Sequence, residues 1–182
     1  MATGTASETM TTEEIVALNR AHTFFSWSIQ GAIDPIVIDH AEGVWLYTPD
    51  GQRILDFNSQ LMSVNIGHGD RRVIDAITEQ ATKLQFVQPA FATEIRGRLG
   101  QKLAEILPGD MDKVFFTLGG AEAIENAIKF ARHYTGRYKV LARYRAYHGA
   151  TLGAMTLTGD PRRWANEPGL VGVVRYLSLI HI

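Results

Sequence analysis

Residues 114–132 read VFFTLGGAEAIENAIKFAR, and no other stretch constrains the fold of this chain as much. Val114, Phe115, Phe116, Thr117 and Leu118 suit a short strand in a sheet covered on both faces, because β-branched and aromatic side chains fill such a layer. Gly119 and Gly120 then permit backbone angles and close approaches that a side chain would block. From Ala121 onward, Ile124, Ala127, Ile128 and Ala131 recur at helical spacing, while Glu125, Asn126, Lys129 and Arg132 fall on the opposite face. A strand, a glycine turn and a helix start together present unpaired N–H groups and the positive end of a dipole. That geometry suits an anion, most often a phosphate. A glycine turn before a helix also serves simply to turn the chain. The stretch is neither GxxxxGK[ST] nor GxGxxG, so a phosphate site here is made mostly of backbone.

Bulk properties narrow the remaining choices. The 182 residues are enough for one domain with a sizeable core, and 46% hydrophobic with 20% charged residues is ordinary globular material. A formal charge of -1 gives no general attraction to nucleic acid or to anionic membranes. With no cysteine there are no disulfides, thiolate metal sites or cysteine nucleophiles, and no metal site is expected. The opening MATGTASETM lacks the basic start and apolar stretch of a secretory signal, and no apolar run approaches the roughly 18 residues that span a bilayer. These features lead to the expectation of a soluble, cytoplasmic protein.

Along the chain, residues 1 to about 10 are expected to be disordered, and Thr11-Thr12-Glu13-Glu14 offers a capping-box start for a helix to about His22. Strands are expected over 36–39, 44–47 and 53–57, the last two joined by a turn at Thr48-Pro49-Asp50-Gly51. Asp70 caps an expected helix to about Leu84. A second, from Thr93 to Leu107, is expected to bury Ile95, Leu99, Leu103, Ile106 and Leu107. Gly136 closes the helix that follows the glycine turn. Further strands are expected over 138–142 and 172–176, with a helical segment over 150–157. Strand, helix, strand implies a parallel crossover and hence an α/β layer. The last six residues, LSLIHI, also spell what a common transposase adapter for sequencing libraries encodes in one frame. Residues 177–182 are therefore expected to be a non-native tail, and His181 is given no role.

Three motifs in order, GVWLYTPDGQRILDFNSQLMSVNIGHG, VFFTLGGAEAIENAIKFAR and Arg145-Ala146-Tyr147-His148-Gly149, resemble the class III pyridoxal-phosphate aminotransferases. The likeness runs from about Arg20 to Tyr176, and SWSIQGAIDP with FNSQLMSVNIGHG looks closest to the taurine, β-alanine and pyruvate branch. It implies the N-terminal part of the type I fold of these transferases. Residues 1–68 would be an N-terminal segment of the small domain, with a helix and a hairpin. Residues 69–176 would begin the large cofactor-binding domain, a mostly parallel sheet with helices on both faces.

The resemblance also implies roles. Where the family usually reads Ser-Gly-Ser-Glu, this chain has Gly119-Gly120-Ala121-Glu122, so the N–H groups of Gly120 and Ala121 would hold the cofactor phosphate without serine hydroxyls. Glu122 is either a cofactor contact or a first-turn carboxylate that stabilises the helix. Tyr147 falls where the family stacks a ring on the cofactor's pyridine, and His148 reads as wall or packing rather than as an acid–base group. Leu61 and Met62 fall in the substrate wall; Phe25 and Trp27 are either more of that pocket or core. Residues 86–93 would face a partner subunit's cofactor, since the family builds its active site between two subunits.

Transamination also needs a lysine that binds the cofactor through its amine and a carboxylate on the pyridine nitrogen. None of Lys83, Lys102, Lys113, Lys129 and Lys139 matches the family lysine, which lies downstream, so no catalytic residue is expected within this chain. The resemblance implies a complete enzyme that passes an amino group from an amine or ω-amino acid to a 2-oxo acid such as pyruvate, with this piece alone expected to be inactive. A mutase or decarboxylase of the same fold, or a non-catalytic phosphate-binding domain, would share the half-site.

Overall fold

The computed structural model describes residues 10–179. The expectations for residues 1–9 and for 180–182, His181 included, lie outside them. The chain divides into two compact units, Met1–Pro89 and Ala90–Ile182. The expected boundary at residue 68 falls inside the first, because the helix beginning at Arg71 groups with the N-terminal segment.

In the first unit, α1 (Thr12–His22) starts with the reciprocal capping box expected of Thr11 and Glu14. Three short strands, β1 (His40–Glu42), β2 (Trp45–Tyr47) and β3 (Arg53–Leu55), form an antiparallel sheet in the order β1-β2-β3. The β2–β3 connection lies at the expected turn, closed by Gly51 N–H donating to the Thr48 carbonyl at 3.0 Å. The first strand is displaced from the expected 36–39 to His40–Glu42. Gly43 (φ 58°) turns the chain tightly into β2 and so fixes the paired residues as His40 with Tyr47 and Glu42 with Trp45. The hairpin is therefore a three-stranded meander, with the His40 and Tyr47 rings stacked 4.5 Å apart.

Next comes a single helical turn, α2 (Ser59–Met62), in which every φ is positive. A left-handed turn of four non-glycine residues costs about 1–2 kcal/mol at each. Its surroundings hold it in place: Asn58 Oδ1 accepts from Leu61 N–H at 3.4 Å, and Asp56 Oδ1 accepts from Gln60 N–H at 3.1 Å. The other oxygen of Asp56 meets His68 Nε2 at 2.8 Å, and His68 is itself fastened to Gly43 by two main-chain hydrogen bonds. Helix α3 (Arg71–Lys83) then begins at Asp70, as expected, with the Asp70 carboxylate accepting from Arg72 N–H. The Arg72 guanidinium on that carboxylate holds its pKa down to about 2.

The second unit carries the core. It comprises α4 (Glu94–Ile106), α5 (Gly120–Thr135), β4 (Val140–Arg143), α6 (Leu152–Leu157), a 3-10 turn (Pro161–Asn166) and β5 (Val173–Tyr176). Strands β4 and β5 pair in parallel, Val140 opposite Val173 and Arg143 opposite Tyr176, so the parallel crossover runs through α6 and the 3-10 turn. Ile128, Ala142 and Leu157 are buried together, with Ile124, Val140, Leu170 and Val173 packed around them. Gly136, at φ 65°, ends α5 as expected. Its Arg132 then donates to the carbonyls of Tyr138 and Val171 and so ties the helix end to both strand approaches.

Two expectations fail here. Residues 114–118 form no strand: strand geometry needs a neighbouring ladder, and none pairs with them among the described residues. Phe115, Phe116 and Leu118 are exposed instead of buried, Leu118 fully, while Phe115 packs edge-on against Phe130 of α5 at 5.4 Å. The stripe on α4 is likewise open, Ile95, Leu99 and Ile106 all being exposed, because no other described element packs closely on that face.

Candidate functional site

Helix α5 begins at Gly120 with Gly119 as its N-cap, and no side chain caps it. Gly119 is extended (φ -169°), and a Cβ built on either glycine would meet nothing within 4 Å, so the helix mouth is open. The first N–H groups of any α-helix lack intrahelical acceptors; here those are the N–H groups of Gly120, Ala121 and Glu122. The Glu122 carboxylate turns back to accept from Leu118 N–H at 2.9 Å.

The Tyr147-His148-Gly149 loop abuts this mouth. Gly149 lies so close to α5 that an added Cβ would stand 2.5 Å from the Ala121 Cβ, and its φ of 135° also suits glycine alone. The loop is fixed from below. His148 N–H donates to Thr158 Oγ1 at 3.1 Å, Gly159 N–H donates to the Ala146 carbonyl at 2.7 Å, and Thr158 is fully buried. The second anchor is Glu125, one turn into α5. Its Oε1 accepts from Thr151 Oγ1 at 2.5 Å and from the N–H groups of Gly153 and Ala154 at 2.7 and 3.2 Å. The Thr151 hydroxyl, more than any other contact, holds the Glu125 carboxyl below its ordinary range; burial opposes it and the two N–H groups add to the lowering. A carboxylate thus caps α6, which has no cap from its own N-cap side chain.

Tyr147 is 39% exposed and carries the Arg162 guanidinium over its ring, 4.2 Å from the centroid. His148 is half-buried. The arrangement can accept an anion at the helix mouth beside an aromatic face held by a buried scaffold. No described cluster of histidine, aspartate and glutamate could hold a metal ion.

The expected substrate-wall residues lie in the first unit. Leu61 and Met62 occupy the left-handed turn with their side chains exposed. Phe25 is half-buried, its main chain clasped by Gln30, whose Oε1 accepts from its N–H and whose Nε2 donates to its carbonyl. Trp27 has a positive φ of 60° and is 70% exposed, so it does not belong to a core among the described residues. Among the lysines, Lys102 and Lys113 make surface ion pairs with Glu105 and Asp112, and Lys129 lies over Phe130. Sequence reasoning missed Glu125, Thr158 and the Asp160–Arg162 pair. Only the last left a usable signal, since Asp160-Pro161 marks a turn that begins on an aspartate.

Comparison with known proteins bears on this site. The family model described as "Aminotransferase class-III" matches residues 29–177. Isoleucine 2-epimerase of Lentilactobacillus buchneri is 41% identical over 136 residues, which are 74% of this chain and 30% of that protein. The uncharacterized aminotransferase YhxA of Bacillus subtilis is 40% identical over 154 residues, 79% of this chain and 34% of its own. The chain thus spans about a third of the length of these relatives. Among solved structures, the taurine:2-oxoglutarate aminotransferase of Bifidobacterium kashiwanohense, in complex with PLP and glutamate, superposes with a TM-score of 0.89 at 41% identity. That match covers 94% of this chain and 39% of the other. An (S)-enantioselective omega-transaminase from Thermomicrobium roseum gives 0.87 at 37% identity, covering 94% and 41%.

Proposed function

Because the chain belongs to the class III aminotransferases, whose cofactor is pyridoxal 5'-phosphate, we propose that the complete protein moves an amino group from an amine or ω-amino acid to a 2-oxo acid such as pyruvate. The observation that carries the reading is the seating of Gly149 against Ala121, which brings the Tyr147 loop to the open mouth of α5. The N–H groups of Gly120 and Ala121, in the turn opened by Gly119, hold the phosphate. The helix dipole adds roughly 0.3–1 kcal/mol where family serines are missing. Tyr147 lies flat on the pyridine ring, for about 0.5–1.5 kcal/mol, and His148 forms its wall. Glu122 acts by fixing the turn through Leu118 N–H. Bound there, the cofactor supplies the electron sink that lets an amino group change carriers.

Phe25, Trp27, Leu61 and Met62 line the amine pocket in this reading, and the taurine aminotransferase likeness supports an ω-amine donor. The complete enzyme is a cytoplasmic homodimer with shared active sites. Residues 1–68 belong to its small domain and residues 69–176 to its large one. The lysine and the carboxylate that transamination requires lie outside residues 1–182, so this stretch alone is inactive. No described helix is long and apolar enough to cross a membrane.

The test offers the full-length protein an ω-amino acid and pyruvate and measures alanine. Product that depends on added pyruvate is expected. Conversion of the amine substrate without any 2-oxo acid contradicts transamination and favours the second reading, a mutase, decarboxylase or epimerase on the same half-site. The 41% identical epimerase gives that reading its weight.

A further inference from the structure

Non-glycine residues with positive φ persist only where the surrounding structure holds them, and they cluster at ligand sites. Besides Trp27 and Arg145, the described residues of this kind are the consecutive Ser59, Gln60, Leu61 and Met62. What braces this turn is a buried Asp–His pair. The Asp56 side chain is 3% exposed and that of His68 16%. One Asp56 oxygen accepts from Gln60 N–H at 3.1 Å, and the other lies 2.8 Å from His68 Nε2. Both residues are also tied to the start of β2 through their main chains. Asp56 N–H donates to the Val44 carbonyl at 2.9 Å, and His68 exchanges two hydrogen bonds with Gly43, at 2.7 and 2.9 Å. Gly67 presses on the same place, since an added Cβ would stand 3.0 Å from the Gly43 carbonyl oxygen. The turn so held carries apolar side chains outward: Leu61 is 56% exposed and Met62 71%. Stability alone gives no reason to hold strained backbone for side chains left largely in the open.

We propose that Asp56, backed by His68, is a positioning residue for the amine pocket: the pair fixes the left-handed turn that presents Leu61 and Met62 to the substrate as one rigid wall. This rests on the proposed place of those two side chains in the pocket. A carboxylate fits the task because it is acceptor-only and its two oxygens serve two donors at once, with bonds stronger than those of a neutral acceptor. Without it, Gln60 is free to leave φ 49° for the regions that L-residues prefer, and the Cα–Cβ bonds that follow swing with the chain. A methionine adapts its own torsions to a ligand, so the wall's position depends on where the backbone holds its Cα. Asp56 touches neither substrate nor cofactor in this scheme; it acts through the Gln60 backbone.

The test uses the full-length holoenzyme and follows the amine half-reaction alone, by the visible absorbance of the bound cofactor as taurine or 1-phenylethylamine is added without a 2-oxo acid. The half-saturating amine concentration and the limiting rate are read separately. Asp56→Ala is expected to raise the half-saturating concentration of the preferred amine about three- to tenfold with a smaller change in limiting rate, and to narrow the preference between the two amines by a similar factor. Affinity for pyridoxal phosphate stays at the parent value. His68→Ala has the same effect in milder form, and His68→Gln, whose amide nitrogen reaches the Asp56 oxygen, recovers most of the preference. This second pair of variants carries the test if Asp56→Ala does not fold. In a Leu61→Ala, Met62→Ala background, loss of the Asp56 carboxylate changes neither value further. Parent values for both amines in Asp56→Ala and His68→Ala, with Met62→Ala still altering them, overturn the inference alone: the pair then serves only the stability of the fold. If Met62→Ala and Leu61→Ala leave both amines unaffected, the pocket reading falls and the inference falls with it.

Discussion

Glu125 accepts from a hydroxyl and two main-chain N–H groups at the start of α6, so one side chain joins the helix of the glycine turn to the buried helix beneath the tyrosine loop. These donors favour the charged carboxylate and lower its pKa. The folded chain therefore takes up the proton less readily than the unfolded chain. The stabilisation is complete above the ordinary glutamate value of about 4.3 and is lost as pH falls through the lower folded value. Glu125→Gln should cost roughly 1.5–3 kcal/mol at neutral pH, read by denaturant unfolding. It should also flatten the acid limb of the stability profile below about pH 4.3. An unchanged acid limb would show that Glu125 is not the anchor described. Gly153 belongs to the same device, since a Cβ there would collide with the Glu125 carboxylate.

Among the elements, the turn Ser59–Met62 shows what a sequence conceals. Its four residues contain no glycine, and nothing in Ser-Gln-Leu-Met announces positive φ. The cause is tertiary: the Asp56 carboxylate bonds the Gln60 N–H and the His68 ring twelve residues on. Gln60→Gly should therefore raise stability by about 1 kcal/mol, because glycine adopts φ 49° without a Cβ penalty, and thermal melting reads the gain. A lower melting temperature would contradict left-handed strain at this position. Elements whose signals are local were legible beforehand: the capping box at Thr11, the Asp70 cap and the Gly136 stop. The failure of the strand expected over 114–118 was not, because composition declares strand propensity while a strand also needs a ladder partner, and none pairs with it among the described residues. The helix mouth at Gly119 and the Tyr147 loop were readable as motifs. The Arg162 guanidinium over Tyr147 was not, because only folding carries a residue fifteen positions on over that ring.

At the scale of the whole molecule, the stripe of α4 and the run Phe115-Phe116-Leu118 leave apolar side chains uncovered, and the core of the second unit is small. Surfaces of this kind mark interfaces. The 182-residue chain produced alone should self-associate at micromolar concentrations in sedimentation experiments; a monomer with a cooperative melt would contradict that expectation. The central claim is that main-chain N–H groups at Gly120 and Ala121 hold the phosphate while the Tyr147 ring lies on the heterocycle. Its most direct measurement is the equilibrium affinity of the full-length apoprotein for pyridoxal 5'-phosphate, with and without Tyr147→Ala. The account predicts roughly two- to twelvefold weaker binding by the variant at unchanged melting temperature. Equal affinity in the two proteins would contradict it.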